Sequence, residues 1–320
     1  MHISALRGYL RRVLAPLPGF GAPAAGLSPS DIAALMPRRA LAPDPGWSRV
    51  YGAQAADDKL AQQRELAFRA LTAPILAPWL SGSWVWLEPG DELSRALLLS
   101  GLYEPETMLA VRDLLPPDGV FVDVGAHCGL FSLFAAGCVG AGGIILAFEP
   151  SPREFVRLQA NLAANSLTQV QAHQAAITDQ EGEVVLRLAE PGHAGHNTIG
   201  NAFAYDGVLL AATPTVTATT LDRVLADLVR CDVVKIDIEG AELRALRGGS
   251  AAIERLRPAL VLEVFDRALA GCGATVAELL AWLDTHDYIA HDIDPATARL
   301  VELARIAPGE SKNIVALPRR

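Results

Sequence analysis

Lysine is scarce in this sequence, which has 320 residues and a formal net charge of −9. It occurs only at positions 59, 235 and 312, and charged residues of all kinds make up 20% of the chain. A basic surface that neutralises a run of phosphates is therefore not expected. The composition argues against a nucleic acid partner.

Cysteine is also scarce, and long apolar runs are missing. The four cysteines include no C-x-x-C pair, so reduced thiols in a cytoplasmic protein are expected. No apolar run reaches the roughly 18–20 residues that a membrane-spanning helix needs. Arg11 and Arg12 interrupt the apolar start of the chain, which argues against a signal peptide. We therefore expect a cytoplasmic protein without a transmembrane segment.

The chain is organised around the stretch GVFVDVGAHCGLF at residues 119–131. Its first half is apolar and β-branched, which is typical of a buried strand, and the residues after Gly129 have helical spacing. Gly125 allows a sharp turn between the two, and Gly129 allows backbone to approach a ligand closely. A strand, a glycine turn and a helix in this order open a doubly wound α/β sheet, in which ligands bind at the turn.

The glycine pattern argues against two common nucleotide-binding loops. A nicotinamide-binding turn needs G-x-G-x-x-G, but Ala126 and His127 stand where its second glycine would fall. A phosphate-binding loop needs G-K-[ST], but Leu130 follows the last glycine here. The pattern D-x-G-x-x-x-G after a strand is instead typical of methyltransferases that use S-adenosylmethionine (SAM). On its own, such a short pattern is weak evidence.

Beyond residue 119 the pattern of strands and helices alternates, with one interruption. Further strands are predicted within 143–150, 170–177, 231–242, 258–264, 288–292 and 313–317. Residues 181–225 are strand-like and rich in turns, and we interpret them as a β-rich insertion. Residues 1–84 are predicted to form a mostly helical extension, with one helix from Asp57 to about Trp79. We expect this extension to cover the mouth of the ligand site or to form a homodimer contact.

With these pieces in place, the chain resembles the FkbM-type family of SAM-dependent methyltransferases. The resemblance runs from about Trp84 to the C-terminus, and its motifs occur in the right order. The matching stretches are GLYEPET (101–107), FVDVGAHCGLFSLFAA (121–136), AFEPSPREFVRLQANLAAN (147–165), TTLD (219–222), VVKIDIEGAELRALRGG (233–249) and PALVLEVF (258–265).

The resemblance implies a Rossmann-like α/β domain over residues 85–320, with a seven-stranded class I methyltransferase sheet and helices on both faces. It also implies SAM as methyl donor and O-methylation of a hydroxyl on a sugar, polyketide or other secondary metabolite. Two alternatives remain open, which are a nicotinamide-dependent oxidoreductase and a non-catalytic SAM-binding protein. The lack of a catalytic Tyr-x-x-x-Lys motif argues against the first of them.

Several residues are candidates for holding the cofactor. Glu149 ends the second strand of the alternating region, where a carboxylate can accept both ribose hydroxyls. Asp123 is expected to support the glycine loop or to hold the methionine amino group, and the amides at the helix start suit the methionine carboxylate. The cofactor candidates are Tyr103, Glu104, Asp123, Gly125, Ala126, His127, Gly129, Glu149, Pro150 and Asp237.

The candidate catalytic residues are Asp237, Lys235, Glu239 and His196. Lys235, Asp237 and Glu239 follow one another at a spacing of two, so they share one face of a strand that runs into its loop. Asp237 is expected to accept the proton of the hydroxyl or to orient the substrate, with support from Lys235. Glu239 is expected near the substrate, and His196 in the insertion is a reserve base with a pKa near neutrality.

No metal site is predicted. Mg²⁺ is an option because some related O-methyltransferases hold it with acids at two strand ends. It is not favoured here, because the second strand end offers Glu263 and Asp266 rather than a tight Asp-Asp or Asp-Asn pair.

Overall fold

Residues 28–38, 40–44 and 59–319 are described by a computed structural model, in which strands and helices alternate from residue 120 onward. The strands, in chain order, are β1 (Ile75–Pro78), β2 (Trp84–Leu87), β3 (Val120–Val124), β4 (Ile144–Phe148), β5 (Val170–His173), β6 (Ala176–Ile177), β7 (Gly182–Val185), β8 (Leu188–Ala189), β9 (Leu210–Ala212), β10 (Thr215–Thr219), β11 (Val233–Ile236), β12 (Ala259–Phe265), β13 (Tyr288–Ile293), β14 (Leu300–Glu302) and β15 (Ser311–Pro318). The α-helices are α1 (Pro29–Ala34), α2 (Lys59–Arg69), α3 (Glu92–Ser100), α4 (Pro105–Leu114), α5 (Leu130–Val139), α6 (Pro152–Ala164), α7 (Leu221–Val224), α8 (Glu242–Arg247), α9 (Ser250–Leu256), α10 (Asp266–Gly271) and α11 (Val276–Thr285). Short 3₁₀ segments span Leu80–Gly82 and Pro191–His196.

The centre of the fold is an eight-stranded sheet in the order β14-β13-β15-β12-β11-β3-β4-β5. The five strands from β12 to β5 run parallel, and β15 is antiparallel to both β12 and β13. The predicted α/β class and Rossmann-like sheet are confirmed. The sheet has one strand more than the seven expected, because the short β14 forms a hairpin with β13 at the edge.

Both faces of the sheet are buried, because its side chains alternate between two hydrophobic clusters. Phe121 and Ile145 belong to one cluster, whereas Val122 and Leu146 belong to the other. All five residues of β3 are buried, so the strand that leads into the glycine loop lies in the middle of the core. Among the described residues, no helix is long and apolar enough to cross a bilayer.

The helix predicted from Asp57 to about Trp79 is shorter in the structure. It covers Lys59–Arg69 as α2, and Ile75–Pro78 is instead β1, which pairs antiparallel with β2. Pro74 explains the change, because proline removes a backbone donor and disfavours the helical conformation of the residue before it. The first two residues of the prediction lie outside the described part. The division at 84/85 falls at the start of β2 and stays a prediction.

The β-rich insertion forms two small sheets beside the main one. One has the order β6-β10-β7, and the other pairs β8 with β9. The 3₁₀ segment Pro191–His196 lies between β8 and β9. The segment Pro191–His196 therefore belongs to the insertion and not to the central sheet.

The side chain of Phe68 on α2 tests how the N-terminal elements contribute to stability. Phe68 is buried in the cluster that also contains Phe121, whereas Leu66 on the same helix is 57% exposed. Phe68→Ala is expected to lower the free energy of unfolding by about 3–5 kcal/mol. Leu66→Ala should change it by less than about 0.5 kcal/mol. Urea unfolding of both variants gives the comparison, and equal effects would show that α2 does not stabilise the central fold.

Candidate active site

A cleft of about 1040 Å³ lies at the carboxyl ends of β3, β4, β11 and β12. Ligands of open α/β sheets bind at this edge. The cleft is lined by all the predicted site residues except Gly129. The structure therefore brings together side chains from distant parts of the chain, including the segment 191–196 of the insertion.

The glycine loop after β3 has little freedom. Gly125 has φ +84°, and a Cβ atom there would overlap the carbonyl oxygen of Asp237. The side-chain amide of Asn161 donates to the carbonyl of Cys128 at 2.8 Å and fixes the far end of the loop. Only glycine allows this conformation and this approach at position 125. The loop and the end of β11 are thus packed directly against each other.

Most amides of this loop are already engaged within the protein. The N–H groups of Gly125 and Ala126 donate to the carbonyl of Phe148, and that of Gly129 donates to the carbonyl of Ala126. The N–H of His127 donates to the Glu149 carboxylate at 2.8 Å. The N–H groups of Ala126, His127 and Gly129 are thus engaged within the protein, and binding of the methionine carboxylate by the amides of residues 126–129 stays a prediction.

Asp123 has no exposed surface, and one of its oxygens has no partner. Ser132 Oγ donates to Asp123 Oδ2 at 2.6 Å, while Oδ1 is buried without a hydrogen bond in the described part of the chain. Burial raises the pKa of Asp123, against the opposing effect of the nearby Lys235 ammonium. Because a buried acceptor without a donor is costly, this oxygen fits a donor group on a ligand.

Glu149 links the end of β4 to the glycine loop. Its two carboxylate oxygens accept the N–H groups of His127 and Ser151, each at 2.8 Å. Burial, followed by repulsion from Glu154, raises the pKa of Glu149 to about 8, although the two N–H donors oppose this change. Each carboxylate oxygen has a second lone pair, so Glu149 keeps capacity to accept hydroxyl donors from a ligand.

Lys235 and Asp237 form an ion pair at the end of β11. The distance between Lys235 Nζ and Asp237 Oδ2 is 2.8 Å, and the ammonium lies 4.5 Å from the centre of the Phe131 ring. Burial lowers the pKa of Lys235, but the carboxylates of Asp237, Asp123 and Glu104 raise it by more. The pKa of Lys235 therefore lies above its ordinary value. Lys235 is therefore a permanently charged group among three carboxylates.

His196 meets Glu239 at the opposite wall of the cleft. His196 Nδ1 lies 3.0 Å from Glu239 Oε1, and the imidazole packs on the Tyr205 ring at 4.2 Å between centres. Thr198 Oγ1 donates to the carbonyl of Glu239 at 2.8 Å and ties the insertion to the loop after β11. Burial lowers the pKa of His196, but the hydrogen bond to Glu239 raises it more, so it lies above 6.5.

Glu104 and Tyr103 lie beside the Lys235 pair. Glu104 has φ +40° at the start of α4, and its Oε2 accepts from Asn313 Nδ2 at 2.9 Å. Burial, followed by repulsion from Asp237, raises the pKa of Glu104 to about 7. Tyr103 meets Phe131 edge to face, with 6.5 Å between ring centres.

Sequence reasoning missed several cleft residues, among them Asp91, Tyr205 and Asn313. Asp91 caps α3 and pairs with the half-buried Arg157 at 2.9 Å, and its position after Pro89-Gly90 is a capping signal in the sequence. Tyr205 and Asn313 carry no comparable signal, because their positions depend on the packing of the insertion and of β15.

No metal centre is present in residues 28–38, 40–44 and 59–319, where no three His, Cys, Asp or Glu residues are grouped to hold an ion. Asp266 accepts the N–H of Gly309 and does not line the cleft, so it is not placed to join Asp237.

Comparison with known proteins gives matches over the region of the cleft. The family model described as "Methyltransferase FkbM domain" matches residues 123–290. Methyltransferase 1 of Beauveria bassiana is 30% identical, over 42% of this chain and 59% of the relative. Methyltransferase sdnD of Sordaria araneosa is 32% identical, over 42% and 61%. The AMB antimetabolite synthetase AmbE of Pseudomonas aeruginosa is 30% identical, over 52% of this chain and 9% of the relative. The chain thus spans about 60% of the two fungal relatives and a small part of the synthetase.

Solved structures include two that cover most of this chain. Methyltransferase FkbM from Methylobacillus flagellatus has 15% identity and a TM-score of 0.39, covering 71% of this chain and 65% of that one. A SAM-dependent O-methyltransferase from Thermotoga maritima has 14% identity and a TM-score of 0.38, covering 68% and 67%.

Proposed function

This chain belongs to the FkbM-type family of SAM-dependent methyltransferases, and on that premise we propose that it methylates a hydroxyl group of a small molecule or glycan. The observation that carries the proposal is the His196–Glu239 pair in the cleft. A hydroxyl is a poor nucleophile and gains from a base that takes its proton during transfer. An imidazole held by a carboxylate is such a base.

We propose that the methyl donor lies along the β3 and β4 side of the cleft. The unpartnered Oδ1 of Asp123 fits the methionine amino group, and the free lone pairs of Glu149 fit the ribose hydroxyls. Tyr103, Glu104 and Pro150 line the same cleft and complete this proposed binding surface. When bound, SAM supplies an electrophilic methyl group on its sulfonium.

The two acid–base pairs of the cleft receive different roles in this proposal. Glu239 accepts the Nδ1 proton of His196, so Nε2 of the neutral ring is the atom that takes the hydroxyl proton. Asp237 already accepts a charge-assisted hydrogen bond from Lys235, and we assign it to orienting the hydroxyl. Most of the rate then comes from positioning an in-line displacement, to which proton removal is added.

The pH dependence of kcat tests the role of His196. The ring accepts a proton only when neutral, so kcat should rise with pH through the pKa of His196, which lies above 6.5. Glu239→Gln removes the charge that raises this pKa, so the rising limb should move to lower pH. The assay follows S-adenosylhomocysteine formation at saturating SAM with a hydroxyl acceptor found by screening, and NMR of the product identifies the O-methyl group. If the rising limb of kcat against pH lies at the same pH in Glu239→Gln, His196 is not the base.

The remaining features complete the proposal. We propose that residues 85–320 form the methyltransferase domain, and that residues 1–84 form an extension that covers the cleft or joins two copies of the chain. We also propose that transfer needs no Mg²⁺, so the same assay should give equal rates with and without a chelator.

A further inference from the structure

Carboxylates dominate the part of the cleft beyond Lys235. Asp237 and Glu239 follow β11, Glu263 lies within the adjacent β12, and all three line the cleft. Burial raises the pKa of Glu263 well above the ordinary value, and repulsion from Asp237 and Glu239 raises it further. An ionised Glu263 is therefore costly unless a positive charge lies beside it.

The ion-paired basic groups of the cleft wall contact carboxylates other than Glu263, and His196 is paired with Glu239. The lysines in the lining are Lys235 and Lys312, and no arginine of the described chain belongs to it. Lys235 is paired with Asp237, whereas Lys312 is paired with Asp292 at 2.7 Å and Glu310 at 3.3 Å. Glu263 accepts only a neutral hydroxyl, that of Ser311 at 2.8 Å, among the hydrogen bonds of the described residues.

A second acceptor without a donor lies next to Glu263. Asn313 is directly opposite Glu263 in the β12–β15 pairing, so their side chains are neighbours on one face of the sheet. Asn313 Nδ2 donates to Glu104, which leaves Oδ1, and this oxygen is buried without a partner in the described part. Asn313 thus presents a buried acceptor that a donor group on a ligand can satisfy, and the Glu263 carboxylate lies beside it.

Asp123, which is fully buried, also has an oxygen, Oδ1, without a hydrogen-bond donor in the described part of the chain. This is a second, independent indication that a ligand of the cleft carries donor groups. SAM contributes one ammonium, which the proposed function assigns to Asp123. That assignment leaves Glu263 and Asn313 on the other side of Lys235 for the second substrate. A neutral acceptor can offer these groups hydroxyl donors, but it brings no positive charge to balance an ionised Glu263.

We propose that the methyl acceptor carries a protonated amine beside its hydroxyl, and that Glu263 and Asn313 Oδ1 bind the ammonium. This inference rests on the proposed function, which makes this part of the cleft the binding site of the methyl acceptor. An ammonium supplies three donors and one positive charge, which matches one carboxylate and a neighbouring amide oxygen. Amino sugars and amino alcohols belong to this class, whereas unmodified sugars do not.

The test compares glucosamine with glucose and N-acetylglucosamine as probes. Binding is measured by titration into the full chain saturated with S-adenosylhomocysteine. Glucosamine should bind at least about tenfold more tightly than either neutral sugar, which corresponds to about 1.4 kcal/mol. Glu263→Gln should remove most of this preference without changing the affinity for S-adenosylhomocysteine. Glu183→Gln, which removes one exposed acid outside the cleft, should keep the preference.

The outcomes separate this inference from the proposed function. Equal affinities for the three sugars, undetectable binding of glucosamine, or a preference retained in Glu263→Gln would each overturn the ammonium site. Preferential binding of glucosamine that depends on Glu263 supports it even when no methyl group reaches a hydroxyl. In that case the hydroxyl-transfer proposal fails and the ammonium site stands. If a neutral sugar is methylated on a hydroxyl as efficiently as glucosamine, the hydroxyl-transfer proposal is supported and the ammonium site is overturned.

Discussion

Replacing His196 with asparagine should lower kcat by about 10²–10⁴-fold, the usual contribution of a positioned general base. Asparagine keeps a side-chain amide that can donate to Glu239, but it lacks the Nε2 atom that takes the hydroxyl proton. The affinity for SAM should stay unchanged, because none of the proposed SAM residues belongs to the insertion. Single-turnover rates and calorimetric SAM titration measure the two quantities separately.

The neighbouring histidine provides the matched control. His193 lies in the same 3₁₀ segment, with 6.1 Å between its ring centre and that of His196, but its polar contacts are with Glu190 at 2.8 Å and Glu92 at 3.2 Å. His193→Asn should therefore retain activity. Asp237→Asn is the competing test, because the sequence alone favours Asp237 as the base. If Asp237→Asn loses activity and His196→Asn does not, the proton goes to Asp237 and the assignment of His196 is wrong.

Removal of the Glu149 carboxylate should weaken SAM binding by tenfold or more, or at least about 1.4 kcal/mol. Glu149→Ala loses the proposed ribose contact and also frees the N–H groups of His127 and Ser151, which hold the glycine loop in place. S-adenosylhomocysteine should lose affinity to the same degree, because it carries the same ribose. Calorimetric titration of both ligands measures the change.

Two controls accompany this prediction. Glu183→Ala removes an exposed acid outside the cleft and should leave both affinities unchanged. Because the pKa of Glu149 is raised to about 8, the affinity of the unmodified chain for adenosine, which carries the ribose but no ammonium, should increase between pH 7 and 9 as the carboxylate ionises. Unchanged SAM affinity in a folded Glu149→Ala variant would remove Glu149 from the binding site.

Local sequence patterns predicted the central fold because the relevant interactions are local or repeat along the chain. The β3 stretch, its glycine turn and α5 follow from apolar spacing and from two glycines, and the α/β class follows from the alternation of strands and helices. The pattern failed at residues 75–78, where an apolar stretch fits a strand as well as a helix. Pro74 and the pairing partner Trp84–Leu87 decided the outcome there.

The candidate site was predictable only where a motif marks a strand end. Asp123, Glu149 and Asp237 each follow or end a strand, so the sheet brings them to one edge. Tyr205 and Asn313 have no such marker. Asn313 reaches Glu104 across 209 residues of sequence, and only the antiparallel insertion of β15 brings them together. Contacts of this kind depend on tertiary packing, which short patterns do not encode.

The division of the cleft between two parts of the chain has a consequence for the evolution of specificity. His196 and Tyr205 come from the insertion, whereas Asp123 and Glu149 come from the central sheet. A replacement of the insertion therefore exchanges the proposed base and the surface around the acceptor together, while the cofactor side stays intact. Glu239 limits such grafts, because it belongs to the loop after β11 and is buried. Any transplanted loop must bring its own hydrogen-bond donor for that carboxylate, so compatible loops are those that carry a histidine, or a substitute for one, at the same place.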